Sequence, residues 1–121
     1  MNKGRKITGG KYHANRKKRF YEIQNQERKV SLRETKRKNL RVKGGNIKTI
    51  LLSSDIVNIS VNGKVRKTKI KKVLETPQNI FLARQNRLTK GAIIETDLGK
   101  ARITNRPSQE GQVNAVLVEN K

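Results

Sequence analysis

The chain lacks cysteine and tryptophan, and its 121 residues include one histidine and two prolines. Without cysteine there is no disulfide framework, no thiol nucleophile and no thiolate metal site. A single histidine excludes multi-histidine metal sites and leaves one candidate base for serine-type hydrolysis. The composition therefore excludes several large classes of enzyme.

Long apolar stretches are also missing. No run approaches the ~20 residues needed to span a bilayer, and the basic N-terminus has no apolar segment of the kind that secretory signals contain. A membrane-surface role would need an amphipathic helix with a bulky apolar face, which the basic N-terminal part lacks. We therefore expect a cytoplasmic protein with no membrane partner.

Acidic residues are scarce, with 9 Asp and Glu against 30 Lys and Arg. The formal net charge is +21 and the sequence pI is about 11.1. Such an excess destabilises a compact state through self-repulsion, so it implies a polyanionic partner. Nucleic acid is the commonest partner of this kind.

Charge and apolar residues are distributed unequally. Residues 1–38 hold 14 basic and 3 acidic residues but only 9 apolar ones, too few to offset the entropy of ordering. We predict that this segment is a basic, largely irregular extension, with one or two helical turns near 17–30, that becomes ordered on its partner. Residues 39–121 hold 30 apolar residues and are predicted to form the folded domain.

The pattern from residue 39 onward is that of short strands separated by glycine-containing turns. No helical periodicity extends over twelve residues, and seven or eight strands are expected. We therefore predict an all-β fold, a small closed or nearly closed β-barrel. The predicted strands are 39–43, 47–52, 56–61, 65–74, 79–84, 92–96, 100–104 and 113–118.

Asn62-Gly63 is the strongest hairpin signal in the chain. A two-residue loop would place the apolar residues of strand 56–61 opposite basic and polar residues. A three-residue loop, 62–64, would instead pair Val61 with Val65. We favour the longer loop with a bulge.

Two dense basic runs carry the chemistry that suits a phosphate backbone. The first, Arg16 to Arg19, is followed by Phe20 and Tyr21, and the second is Lys36 to Lys38. Arginine can grip phosphate with two parallel hydrogen bonds, whereas lysine acts as a point charge. Tyr12 and the two aromatic residues after the first run offer rings for stacking on unpaired bases.

Two glycine pairs mark turns where backbone could approach RNA closely. Gly9-Gly10 after Thr8 could form a phosphate nest or a flexible hinge. Gly44-Gly45-Asn46, between Lys43 and Lys48, could present backbone N–H groups to phosphate or be an ordinary hairpin turn.

No constellation meets the demands of an active site. His13 lies in the basic arm, where hydrogen bonding or stacking suits it better than catalysis. Glu95 and Asp97, two residues apart, could form a metal or acid–base pair but are more typical of a salt-bridge site. We predict no catalytic residue, no metal, no cofactor and no small-molecule substrate.

Several segments, in order, resemble the archaeal and eukaryotic-type small-subunit ribosomal protein family S8e, in its short archaeal form. The last quarter (96–104, 106–107 and 113–117) also matches that form. One stretch departs from the family: Ile23 to Thr35 lacks the Gly and Pro expected of a linker after Glu22, which favours a short helix there. The matching segments are Thr8–Lys11, Arg16–Glu22, Arg41–Asn46, Arg66–Ile70 and Leu88–Glu95.

The resemblance implies a structural component of the small ribosomal subunit that binds ribosomal RNA and neighbouring ribosomal proteins. It implies RNA contacts at Lys11, Arg16, Lys17, Lys18, Arg19, Arg41, Lys43, Arg66, Lys67 and Lys69, and shape-setting turns at Gly9, Gly10, Gly44, Gly45 and Asn46. To these contacts we add from charge and aromatic character Lys3, Arg5, Lys6, Tyr12, His13, Lys36, Arg37 and Lys38.

Two rival functions remain. An architectural protein that compacts DNA or RNA outside the ribosome would also need this charge. A nucleic-acid enzyme would depend on Glu95, Asp97 or His13, and the absence of metal-ligand spacing argues against it.

Overall fold

A computed structural model describes residues 4–25 and 27–118. Within these ranges the chain forms nine strands, two short helices and two 3₁₀ turns. Lys3 lies outside the described residues. The strands are β1 (Val30–Ser31), β2 (Lys36–Arg41), β3 (Ile47–Ser53), β4 (Ile56–Val61), β5 (Lys64–Glu75), β6 (Arg87–Leu88), β7 (Ile93–Thr96), β8 (Gly99–Ile103) and β9 (Asn114–Leu117); the helices are α1 (Ile80–Arg84) and α2 (Pro107–Glu110); and the 3₁₀ turns are Phe20–Glu22 and Lys43–Gly45.

Five strands, in the order β4-β5-β7-β8-β9, form a closed barrel. Two antiparallel hairpins, β4-β5 and β7-β8, supply four of them, and β9 pairs antiparallel with β8. The ring closes where β9 pairs in parallel with β4, with Ile59 opposite Ala115. The structure therefore confirms the predicted all-β fold and barrel.

A second sheet, in the order β2-β3-β1-β6, was not expected from the sequence. Its short central strand β1 pairs in parallel with β3 and antiparallel with β6, where Val30 lies opposite Leu88. Val30 is almost completely buried and belongs to the same hydrophobic cluster as the barrel residues. Strands thus begin well before the predicted division at residue 39, which falls within β2.

The core is built from aliphatic side chains, among them Leu51, Ile59, Ile94 and Ile103, all with at most 1% exposure. None of the four aromatic residues contributes to it. Tyr12, Phe20, Tyr21 and Phe81 are each at least 64% exposed. The aromatic rings therefore remain on the surface, available for contact with a partner.

The predicted register of the β4-β5 hairpin is wrong. Val61 pairs with Lys64 across a two-residue Asn62-Gly63 loop. Both loop residues have positive φ, 47° and 77°, which is the backbone of the hairpin turn whose twist matches the strands. The geometry of the turn therefore decides the register, although it places apolar residues of β4 opposite polar residues of β5. Ile59 is covered instead by the core cluster, which includes Ala115 of β9.

Two further local predictions are wrong. Residues 79–84 were expected to form a strand, but Ile80–Arg84 is the helix α1. The Asn79 side chain accepts a hydrogen bond from the Phe81 N–H at 2.9 Å, and this N-cap satisfies a donor that the first turn leaves free. The short helix favoured between Ile23 and Thr35 is also absent from the described part of that stretch, which contains β1 instead.

Helix α2 is fixed against the second sheet at its C-terminus. Gly111 ends the helix in the left-handed conformation (φ 71°), which favours glycine. The Arg37 Nε of β2 donates to the Gly111 carbonyl at 2.8 Å. A Cβ at position 111 would lie 3.1 Å from the backbone oxygen of Thr49 in β3, so the glycine also permits close packing of helix and sheet.

Replacing this glycine should destabilise the fold more than replacing an equally left-handed one on open surface. We expect Gly111→Ala to lower the free energy of unfolding by ~2–3 kcal/mol, because backbone strain and contact with Thr49 combine. Gly63→Ala, with φ 77° and open space around the added Cβ, should cost ~1 kcal/mol. Urea unfolding of both variants measures the difference, and equal losses would contradict the close approach.

Candidate nucleic-acid interface

The positive charge of the chain lies on its surface. The buried polar residues among those described are serines and threonines, with no lysine or arginine. Three ion pairs occur within the described ranges, joining Arg16 to Glu22, Lys71 to Asp97 and Lys72 to Glu95. Most basic side chains of the described chain therefore face solvent without a carboxylate to neutralise them.

The first part of the arm is a small loop closed by its own backbone. A bridge joins Arg5 and Lys11, and the Gly9 N–H donates to the Lys6 carbonyl at 2.9 Å. Gly9 has φ 81°, so this position requires the left-handed conformation that glycine supplies. The Lys6 ammonium lies 5.7 Å from the centre of the Tyr12 ring. The loop thus groups three of the predicted contact cations with one aromatic ring, and His13 follows it as an exposed residue.

The first dense basic run, Arg16 to Arg19, is organised by Glu22. The Arg16 guanidinium donates two hydrogen bonds to the Glu22 carboxylate, at 2.8 and 2.6 Å, and the Arg19 backbone N–H donates to the same carboxylate at 2.9 Å. The arginine lowers the pKa of Glu22, helped by the backbone hydrogen bond, and the carboxylate raises the pKa of Arg16. Because the Arg16 guanidinium is already bound to the Glu22 carboxylate, this arginine serves to order the turn.

This turn projects cations and rings into solvent. Lys17, Lys18 and Arg19 are exposed, and none of them forms an ion pair within the described ranges. Phe20 is 94% exposed and Tyr21 is 75% exposed. Adjacent rings and cations are the combination that binds unpaired nucleic acid through stacking and phosphate contacts.

Strand β5 presents a basic ridge on the barrel. Lys71 and Lys72 are held by Asp97 and Glu95, with N–O distances of 3.3 and 3.4 Å. The two carboxylates considered as a metal or acid–base pair therefore each contact a lysine. The exposed cations of β5 without such a partner in the described chain include the predicted contacts Arg66, Lys67 and Lys69.

The remaining predicted residues lie along and after β2. Lys36, Lys38, Arg41 and Lys43 are exposed, whereas Arg37 uses its Nε to hold Gly111. The turn Gly44-Gly45 has φ values of 72° and 74°. It is closed by the Val42 N–H, which donates to the Asn46 carbonyl at 2.8 Å, so it forms the tight turn that its glycines predict.

A groove of about 690 Å³ lies beside the second sheet, between the end of β2, the start of β3, the residues around β6 and helix α2. Its lining includes five basic residues from distant parts of the sequence. Among them only Arg41 was predicted as an RNA contact, from the family resemblance, because the five residues belong to neither dense basic run. The five are Arg28, Arg41, Lys48, Lys90 and Arg106.

No group of three or more histidine, aspartate or glutamate side chains placed to hold a metal occurs in residues 4–25 and 27–118. Helices in the same ranges are too short to cross a bilayer. An aliphatic barrel, charge confined to the surface and exposed rings define a class: a small β protein built to bind a polyanion.

Comparison with known proteins gives the family within that class. The family model described as ribosomal protein S8e matches residues 1–118. The chain therefore belongs to the ribosomal protein S8e family.

Curated relatives span nearly the whole chain. Proteins named small ribosomal subunit protein eS8 are 47% identical in Methanocorpusculum labreanum and 44% identical in Methanosarcina barkeri, each covering 95% of this chain and 94% of the relative. The one from Staphylothermus marinus is 45% identical over 95% of this chain and 92% of its own length. The archaeal family resemblance seen in the sequence is confirmed.

The Arg16–Glu22 contact predicts how this turn responds to acid. Because the pKa of Glu22 is lowered in the folded arm, the ion pair is fully formed above the ordinary glutamate pKa of about 4.3 and is lost as the pH falls through the lower folded value. A carboxyl ¹³C titration should therefore place Glu22 below ordinary glutamate. Arg16→Gln should return it toward the ordinary value, whereas an unchanged midpoint would contradict the contact.

Proposed function

We propose that this protein is a structural, non-enzymatic constituent of the small ribosomal subunit that binds ribosomal RNA and supports subunit assembly and translation. It would act in the cytoplasm, in the ribosome, beside neighbouring small-subunit proteins. Membership of the S8e family over residues 1–118 carries the proposal. The charge of +21, exposed on an aliphatic body, supplies the physical means.

The arm supplies the first contact surface, and we place its end near residue 29, because Val30 is already part of the core. Lys17, Lys18 and Arg19 neutralise phosphates, while Phe20 and Tyr21 stack on unpaired bases. Arg16 acts mainly by holding the turn through Glu22. The loop 5–11 adds further cations, together with Tyr12 and His13.

The body supplies the second surface. Arg66, Lys67 and Lys69 stand on β5, and the basic residues of β2 continue into the Gly44-Gly45-Asn46 turn. Such cations contact phosphates and fix the position of the protein without reading sequence. Selectivity for ribosomal RNA would come from its folded shape and from unpaired bases.

Sedimentation of a tagged copy in native lysate at moderate salt tests this function. We expect it to travel with small subunits even when excess duplex DNA is added. A copy lacking residues 1–29 should still unfold cooperatively but be largely lost from the subunit fractions, because the arm cations are gone. A full-length protein confined to the top fractions, or to chromatin, would contradict the proposal and favour the DNA-compacting alternative.

Neutralising the arm turn should weaken RNA binding without changing its selectivity. The triple variant Lys17→Gln, Lys18→Gln and Arg19→Gln should reduce the salt slope of binding by about 2 to 3, since each lost cation releases one fewer set of counterions. Affinity for matched and scrambled RNA should fall alike, because phosphate contacts position but do not specify.

A control of equal charge separates local from general effects. Arg84→Gln, Lys100→Gln and Arg102→Gln together remove three exposed cations outside the predicted contact residues, and this variant should keep most of the slope. Equal losses in the two variants, measured by fluorescence anisotropy over a salt series, would show that only net charge matters.

A further inference from the structure

The groove beside the second sheet is built differently from the basic ridge of β5. Val42, which is 40% exposed, and the half-buried Leu40 supply an apolar floor, to which the buried Leu88 and Pro107 add little exposed surface. Cationic side chains surround this floor on several sides. A ridge can contact only the outside of a nucleic acid, whereas a concave apolar floor can receive a group that enters it.

The cations around the groove come from four segments of the chain. Arg28 precedes β1, Arg41 and Lys48 lie at the facing ends of β2 and β3, Lys90 follows β6 and Arg106 precedes α2. None of these five forms an ion pair within the described ranges. Lys48 instead donates to the side-chain oxygen of Gln109 in α2, which fixes one wall.

The charge of the groove lining is mostly positive. Glu27 is the one carboxylate among the lining residues, so cationic charge predominates.

We propose that this groove receives an unpaired nucleotide of RNA, with its base on the apolar floor and its flanking phosphates on the surrounding cations. Bases within an A-form duplex remain stacked and cannot reach such a floor, whereas bulged or looped bases can be splayed out. The volume of about 690 Å³ falls within the range of pockets that enclose small organic groups. Among the described residues no aromatic side chain lines the groove, so stacking on the base would fall to the guanidinium planes of Arg41 and Arg106.

This inference rests on the proposed function and deepens it, since it specifies which feature of RNA the body recognises. It also separates the groove from the arm and from β5, which contact phosphates of any helix. The groove should therefore confer a preference for RNA with an unpaired nucleotide, and its loss should remove that preference while general RNA binding persists.

The test compares a short RNA duplex that carries one central unpaired nucleotide with the same duplex without it. We expect the full-length protein to bind the bulged RNA about fivefold more tightly or better, the lower end of what one stacked base contributes. The variant Arg28→Gln, Lys90→Gln and Arg106→Gln should bind the two RNAs about equally. The charge-matched control at Arg84, Lys100 and Arg102 should keep the preference.

Crosslinking gives an independent readout. A 4-thiouridine placed at the bulge should crosslink to peptides that contain residues 27–28, 40–48 or 88–109 in the unaltered protein. A wild-type protein without preference for the bulge, or a groove variant that keeps it with crosslinks elsewhere, would overturn the proposal and leave the groove to an acidic protein segment. Failure of the wild-type protein to bind either RNA would instead contradict the proposed function itself.

Discussion

The parallel pairing of β4 with β9 is the constraint on which the rest of the structure depends. It joins the middle of the chain to its last strand, with Ile59 opposite Ala115, and thereby closes the barrel around an aliphatic core. The chain has no disulfide with which to close this small domain, so strand pairing and burial must do so. Because closure commits the inward positions to aliphatic side chains, the lysines and arginines are left on the outside.

Because the positive charge lies on the surface, a bound partner contributes to the stability of the fold. A surface with an excess of 21 positive charges repels itself, and the few carboxylates of the described chain relieve it only locally. They hold the turn at residues 20–22 and two lysines of β5. A polyanion that binds the folded state alone would both neutralise the surface and stabilise the fold by mass action.

The sequence predicted most of the barrel because alternation and turn residues are local signals. The barrel strands β4, β5, β7, β8 and β9 each follow such a pattern, as does β3 of the second sheet. Prediction from the sequence failed where two local signals competed. The Asn62-Gly63 turn prevailed over matching of apolar faces, and the Asn79 cap prevailed over the strand-like residues after it. Strand β1 is too short to show a pattern, and its place between β3 and β6 is purely tertiary.

The candidate contact residues likewise divide into those that the sequence predicts and those that only the tertiary structure brings together. Contiguous cations such as Lys17, Lys18 and Arg19 could be predicted directly, since runs of charge are visible in sequence. The hydrogen bonds that engage Arg16 with Glu22 were not predicted. Composition and pattern by themselves determined the class of protein: a basic arm on a small aliphatic β-barrel with a polyanionic partner. The tertiary structure alone decided the second sheet and the groove that gathers Arg28, Arg41, Lys48, Lys90 and Arg106. The physical reason is that these residues share no spacing along the chain and meet only when strands and helix α2 pack together.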